Sequence, residues 1–122
     1  MIMRDIRIGA AQFENKDNAP DYNFSIIKEL TRKAVDQGAE IVSFHEGCIP
    51  GYTWVQPLTL QQLREVAEPV PDGPSVRRLI ELAKEFSTVL MAGLFELGDN
   101  GEVYNCYVTV SPDGYLTKYR KL

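Results

Sequence analysis

Ile6, Ile8 and Ala10 alternate with polar or small neighbours, and the stretch from Arg4 to Phe13 then turns wholly apolar or small. This pattern predicts a strand that enters a core. Asn15 to Asn18 is a polar connection, and Pro20 stands where the first turn of a helix accepts it, with Asp21 suited to the helix dipole. Ile26, Ile27, Leu30 and Ala34 then fall on one helical face, and Gly38 follows as a C-terminal cap. Ile41 to Phe44 reads as a short buried strand, so the chain opens strand, helix, strand, the signature of a parallel α/β pair.

An irregular stretch from His45 to Leu58 follows, rich in Gly, Pro and aromatics. Thr59 and Gln62 have capping-box spacing ahead of Leu60, Leu63 and Val66, which predicts a short helix. Pro69, Pro71, Gly73 and Pro74 end it. Pro74 opens a second helix, with Val76, Leu79, Ile80 and Ala83 at the spacing of one buried face. Val89 to Phe95 is a continuous apolar strand, as expected where both faces are covered. Asn100-Gly101 turns into a strand over Val103 to Val110, and Ser111-Pro112-Asp113-Gly114 turns into a last strand over Tyr115 to Leu122. The expected order is β-α-β-(α)-α-β-β-β in a mixed parallel and antiparallel sheet, and the last strand is expected to be buried and to stop abruptly.

Length and composition narrow the class. The 122 residues suit one domain, and 44% hydrophobic with 25% charged residues is ordinary globular usage. A net charge of −4 lacks the basic footprint of a nucleic-acid binder. No apolar run is long enough to span a bilayer, so no membrane partner is expected. The N-terminal residues Met1 to Arg7 lack the pattern of a secretory leader. Two cysteines, Cys48 and Cys106, make no disulfide framework, which points to a reducing cytoplasm.

Candidate chemistry concentrates in Phe44-His45-Glu46-Gly47-Cys48-Ile49-Pro50-Gly51-Tyr52. Glu46 lies just past the C-terminal end of a buried strand, where α/β sheets place their ligand crevice. Flanked by Phe44 and Ile49, it is expected to be poorly solvated, with a raised pKa suited to a general base; alternatively it caps the loop by accepting backbone N–H groups. Lys121 shares strand parity with Tyr115, Thr117 and Tyr119. It is either a point charge for a developing oxyanion or part of a solvated basic edge with Lys118 and Arg120. His45, the one histidine, is a proton shuttle or a hydrogen-bonded scaffold residue. Cys48 is a thiol nucleophile or an inert buried cysteine, and Cys106 belongs to the core. Tyr52 and Trp54 line a substrate entrance or simply pack. Metal binding is not expected, since neither a second histidine nor Cys-x-x-Cys spacing is present.

Three stretches taken together resemble the nitrilase superfamily of carbon–nitrogen hydrolases. They are Ile8-Gly9-Ala10-Ala11-Gln12-Phe13, the loop Phe44-His45-Glu46 with Gly51-Tyr52, and Tyr119-Arg120-Lys121-Leu122. Asp72-Gly73-Pro74, Gly93-Leu94-Phe95-Glu96, Tyr104-Asn105 and Ser111-Pro112-Asp113-Gly114 accompany them in order along the whole chain. The resemblance implies an α-β-β-α sandwich of which residues 1–122 form the first half, with helices on one face of a mixed sheet. It implies a Cys-Glu-Lys site for amide, nitrile or N-carbamoyl substrates, needing no cofactor, in a homo-oligomer. Glu46 would be its general base and Lys121 would stabilise the intermediate. The family has proline where His45 stands, and its nucleophile follows the lysine motif on a later strand. Neither Cys48 nor Cys106 matches that position, so this chain alone is expected to be inactive. The alternative is a non-catalytic half-domain that dimerises or binds a partner through the open edge of Tyr115 to Leu122.

Overall fold

The computed structural model describes residues 3–122; Met1 and Ile2, part of the segment read as lacking a leader, lie outside the described residues. The elements are β1 (Ile8–Ala10), α1 (Pro20–Asp36), β2 (Ile41–Ser43), a 3-10 turn (Thr53–Val55), α2 (Leu60–Val66), α3 (Pro74–Phe86), β3 (Val89–Leu97), β4 (Val103–Ser111) and β5 (Gly114–Arg120). This is the expected order. The strands form one sheet in the order β1-β2-β3-β4-β5. β1, β2 and β3 run parallel, and β4 and β5 return antiparallel through the two hairpins.

One face of the sheet carries the core. Phe24 and Ile27 of α1 and Val76, Leu79 and Ala83 of α3 pack on Val42, Leu90, Leu94 and Val108. Each fully buried Val, Leu or Ile side chain among them contributes about 1.5–3 kcal/mol. Both helices therefore lie over one face, as the family resemblance implies. The opposite face carries Ile8, Ser43, Met91 and Tyr107, none of them fully buried. Among the described residues, no helix is long and apolar enough to cross a membrane.

The local signals account for most element ends. The Thr59 side chain accepts from the Gln62 backbone N–H, and the Gln62 side chain accepts from the Thr59 N–H, a complete capping box. α3 starts on Pro74 with Gly73 as N-cap, which has no side chain to cap with. Glu68 replaces it, accepting from the Ser75 backbone N–H (2.8 Å) and hydroxyl (2.6 Å), so a carboxylate meets the positive end of the helix.

Three expectations need correction. β1 spans only Ile8–Ala10 and lies at the sheet edge, where Ile8 is 64% exposed; its alternating side chains face outward rather than into a core. The buried face of α1 is Asn23, Phe24, Ile27 and Thr31, rotated from the expected stripe, with Ile26 only half-buried. Asn23 earns its burial through hydrogen bonds: it accepts from Lys16 N–H and donates to the carbonyls of Lys16 and Ile49, all at 2.8 Å. Finally, β5 ends at Arg120 and is largely exposed, with Leu116 at 56% and Tyr119 at 60%. Thr109 pairs with Thr117 and Val110 with Tyr115, so Leu116 is an extra residue in a bulge. The bulge breaks the parity expected from the sequence: Tyr115 packs on the helix-side core, whereas Thr117 lies opposite Thr109.

Candidate active site

Glu46 reaches its position because β3 has no side chain at residue 93. A Cβ there would lie 2.2 Å from the Gly47 nitrogen and 3.0 Å from the Glu46 carbonyl carbon, so only glycine lets the 45–51 loop cross β3 this closely. Ile49 N–H donates to the Gly93 carbonyl (3.2 Å), and Asn23 holds the Ile49 carbonyl from below. Upstream of the loop, the Tyr107 hydroxyl donates to the Phe44 carbonyl (2.5 Å) and lies 2.6 Å from the Ser43 hydroxyl. The segment leading to Glu46 is thus tied to β3, β4 and α1.

Lys121 is aligned by the β4–β5 ladder. Its N–H donates to the Asn105 carbonyl (2.8 Å), one residue beyond the end of β5. Its Nζ donates to Glu46 Oε1 at 2.8 Å, joining residues 75 positions apart. The Asn105 side-chain amide donates to the same Oε1 at 2.5 Å. Glu46, Asn105, Cys106, Tyr107, Tyr119 and Lys121 line an open cleft of about 410 Å³.

The electrostatics of this cleft differ from the sequence expectation. Glu46 is neither poorly solvated nor raised in pKa. Its side chain is 45% exposed, and hydrogen bonds from Lys121 first and Asn105 second hold its carboxyl below the usual carboxylate range. The apolar neighbours Phe44 and Ile49 are themselves buried and leave the carboxylate outside their core. The same hydrogen bond raises Lys121 above its ordinary value. The two therefore stand as carboxylate and ammonium near neutral pH. Nor does Glu46 cap its own loop, since its described partners are the two side chains.

Lys118 and Arg120 are not a solvated edge. They turn to the helix side of the sheet, where Glu96 is only 2% exposed. Arg120 binds it with a fork, Nε to Oε1 at 2.7 Å and a terminal nitrogen to Oε2 at 3.1 Å, and Lys118 adds a short contact to Oε2. The Arg120 guanidinium also stacks 3.9 Å over the Tyr104 ring. Burial pushes the Glu96 carboxyl up, but the hydrogen bonds and charges of the two cations outweigh it and leave its pKa lowered.

The remaining candidates lie apart. His45 Nε2 is 2.9 Å from Asn15 Oδ1, its ring meets Phe13 edge-on at 4.9 Å, and burial lowers its pKa, which keeps it neutral. Cys48 is fully buried and its thiol is pushed up to about 11 by burial, so it makes a poor nucleophile. Cys106, 1% exposed, is likewise pushed to about 11 by burial and by the charge of Glu96. Tyr52 packs 6.3 Å from the Phe95 ring. Trp54 donates to the Pro50 carbonyl (2.8 Å) and lines a different cleft, between α2 and the loop. Among the described residues, no group of three or more His, Cys, Asp or Glu side chains is arranged to hold a metal.

The sequence pattern marks neither Asn105 nor Glu96 for a role of its own. Glu96 did leave a signal, as the one charged residue in the apolar run of β3.

The family model for carbon-nitrogen hydrolases matches residues 7–122. The chain belongs to the carbon-nitrogen hydrolase family. It is 30% identical over 117 residues to a nitrilase of Pyrococcus abyssi, covering 96% of this chain and 43% of that protein. It is 39% identical over 121 residues to omega-amidase NIT2 of Homo sapiens, covering 98% of this chain and 41% of that one. The fold matches the crystal structure of a CN-hydrolase superfamily protein from Xanthomonas campestris with a TM-score of 0.79 at 22% identity, over 98% of this chain and 41% of the other. The chain thus spans about two-fifths of the length of each of these three proteins.

Proposed function

We propose that this chain supplies the base and the ammonium of an enzyme that hydrolyses non-peptide carbon–nitrogen bonds in small amides, nitriles or N-carbamoyl compounds. The observation that carries the reading is the 2.8 Å contact between Lys121 Nζ and Glu46 Oε1 in a cleft open to small molecules. The resemblance implies a cysteine nucleophile after the lysine motif, and neither Cys48 nor Cys106 suits the role, since both thiols are buried and held protonated.

On an amide the chemistry runs in two halves. The attacking thiol gives its proton to ionised Glu46 as sulfur bonds to the carbonyl carbon. The oxygen gains negative charge, which the Lys121 ammonium stabilises. The carbon–nitrogen bond then breaks, and the proton on Glu46 leaves with the amine. Water next attacks the thioester, giving a proton to Glu46, which returns it to the departing sulfur. The lowered pKa of Glu46 keeps it ionised, and therefore competent to accept the first proton, well below neutral pH.

The test is release of ammonia or amine from a panel of simple amides, nitriles and N-carbamoyl amino acids by the protein that carries the family cysteine. Turnover of at least one class is expected; no turnover of any class contradicts the reading. A second reading, a half-domain that pairs through the free edge of β5, draws on the exposure of Leu116 and Tyr119. A monomer in sedimentation contradicts it.

A further inference from the structure

The two donors on Glu46 are not spread over its two oxygens. Lys121 Nζ and Asn105 Nδ2 both reach Oε1, at 2.8 and 2.5 Å, while Oε2 receives no hydrogen bond from the described residues. A carboxylate free to rotate would present either oxygen to an incoming proton. Two donors on one oxygen, one from β4 and one from just past β5, fix the plane of the group and single out the other oxygen. Asn105 is well placed to do this. Its carbonyl is held by the Lys121 N–H, so side chain and main chain of one residue bind both members of the pair. It also sits on β4 opposite Phe95 of β3, within the sheet rather than on a loop.

We infer that Asn105 is a positioning residue that pins Oε1 of Glu46 together with Lys121, and so dedicates Oε2 to proton transfer. This deepens the function proposed above and rests on it. As an amide, Asn105 holds the carboxylate without a charge of its own, so it orients the base while Lys121 is the one cation among the described residues that line the cleft. Losing its hydrogen bond raises the pKa of Glu46 and lets the carboxylate turn.

The test uses Asn105→Ala and Asn105→Asp in the catalytically complete protein, with kcat, KM and the pH profile measured alongside Glu46 titration by carboxyl-carbon NMR. The Glu46 midpoint and the acidic limb of kcat/KM are expected to move together to higher pH, by about half to one unit in Asn105→Ala. The shift is larger in Asn105→Asp, which adds a like charge. kcat is expected to fall about 10- to 100-fold with KM little changed, because the oriented base matters only in the transition state. An unmoved Glu46 midpoint and acidic limb in folded variants overturn the inference. The NMR readout is independent of turnover, and Glu46→Gln serves as the control: full activity in that variant refutes the base itself, whereas an inactive Glu46→Gln beside an unshifted Asn105→Ala refutes only the role of Asn105.

Discussion

Arg120 and Lys121 are neighbours in the chain, yet they bind carboxylates on opposite sides of the sheet. Arg120 Nε reaches Glu96 on the helix side at 2.7 Å, and Lys121 Nζ reaches Glu46 on the open side at 2.8 Å. The alternation of a strand makes this possible, and the buried Glu96 enforces it: any one-residue slip would put Lys121 against Glu96 and leave Glu46 without its cation.

Removing Glu96 should therefore loosen the end of β5. Glu96→Gln is expected to lower stability by roughly 2 kcal/mol at neutral pH, because it strips a buried anion from cations that are themselves partly exposed. The pH dependence has a defined sign. The folded pKa of Glu96 is lowered, so its contribution is complete above its ordinary value of 4.5 and is lost as pH falls through the folded value. Chemical denaturation at several pH values should show wild type and Glu96→Gln converging in acid. A gap that widens in acid contradicts the ion-pair account.

Gly93 should tolerate no side chain. In Gly93→Ala the new Cβ meets backbone of the Glu46 loop, which cannot swing away as a long side chain can. A loss of about 1–3 kcal/mol is expected from overpacking. A displaced Glu46 should show as a changed carboxyl resonance even under conditions where the variant is folded. Wild-type stability with an unchanged resonance would argue against the close crossing.

Cys48 should be inert. With a pKa of about 11, about one thiol in ten thousand is ionised at pH 7, and the group has no solvent exposure. Iodoacetamide labelling followed by peptide mass mapping should show Cys48 modified only on unfolding. Rapid labelling of the folded protein would revive it as a nucleophile.

Much of this arrangement was legible in the sequence, and the failures are instructive. α3 and β3 were readable because their burial follows one strong period or one unbroken apolar run. The capping box of α2 was readable because it is local. The length of β1 was not, since Ile6 and Ile8 alternate as a half-buried strand does while facing outward. Parity along β5 failed at one residue, because a bulge at Leu116 leaves no signature in an alternating run. The setting of Glu46 failed for another reason: Phe44 and Ile49 beside it are apolar, but the groups that set its pKa come from β4 and from Lys121, 75 residues on. Family resemblance, not spacing, singled out that lysine.

Replacing Lys121 separates its two effects. In Lys121→Met of the protein that carries the family cysteine, kcat is expected to fall by about 10²–10³, as for loss of one oxyanion donor. The Glu46 midpoint should rise, because the Lys121 hydrogen bond is the largest influence lowering it. A fall in kcat with an unmoved Glu46 midpoint contradicts the pairing seen here.

The central claim is that Glu46 takes the proton of the attacking thiol, and the rate of acyl-enzyme formation tests it most directly. In the protein that carries the family cysteine, single-turnover release of ammonia from an amide should slow by about 10²–10⁴ in Glu46→Gln, with circular dichroism and substrate binding unchanged. Acylation at the wild-type rate in that variant contradicts the account.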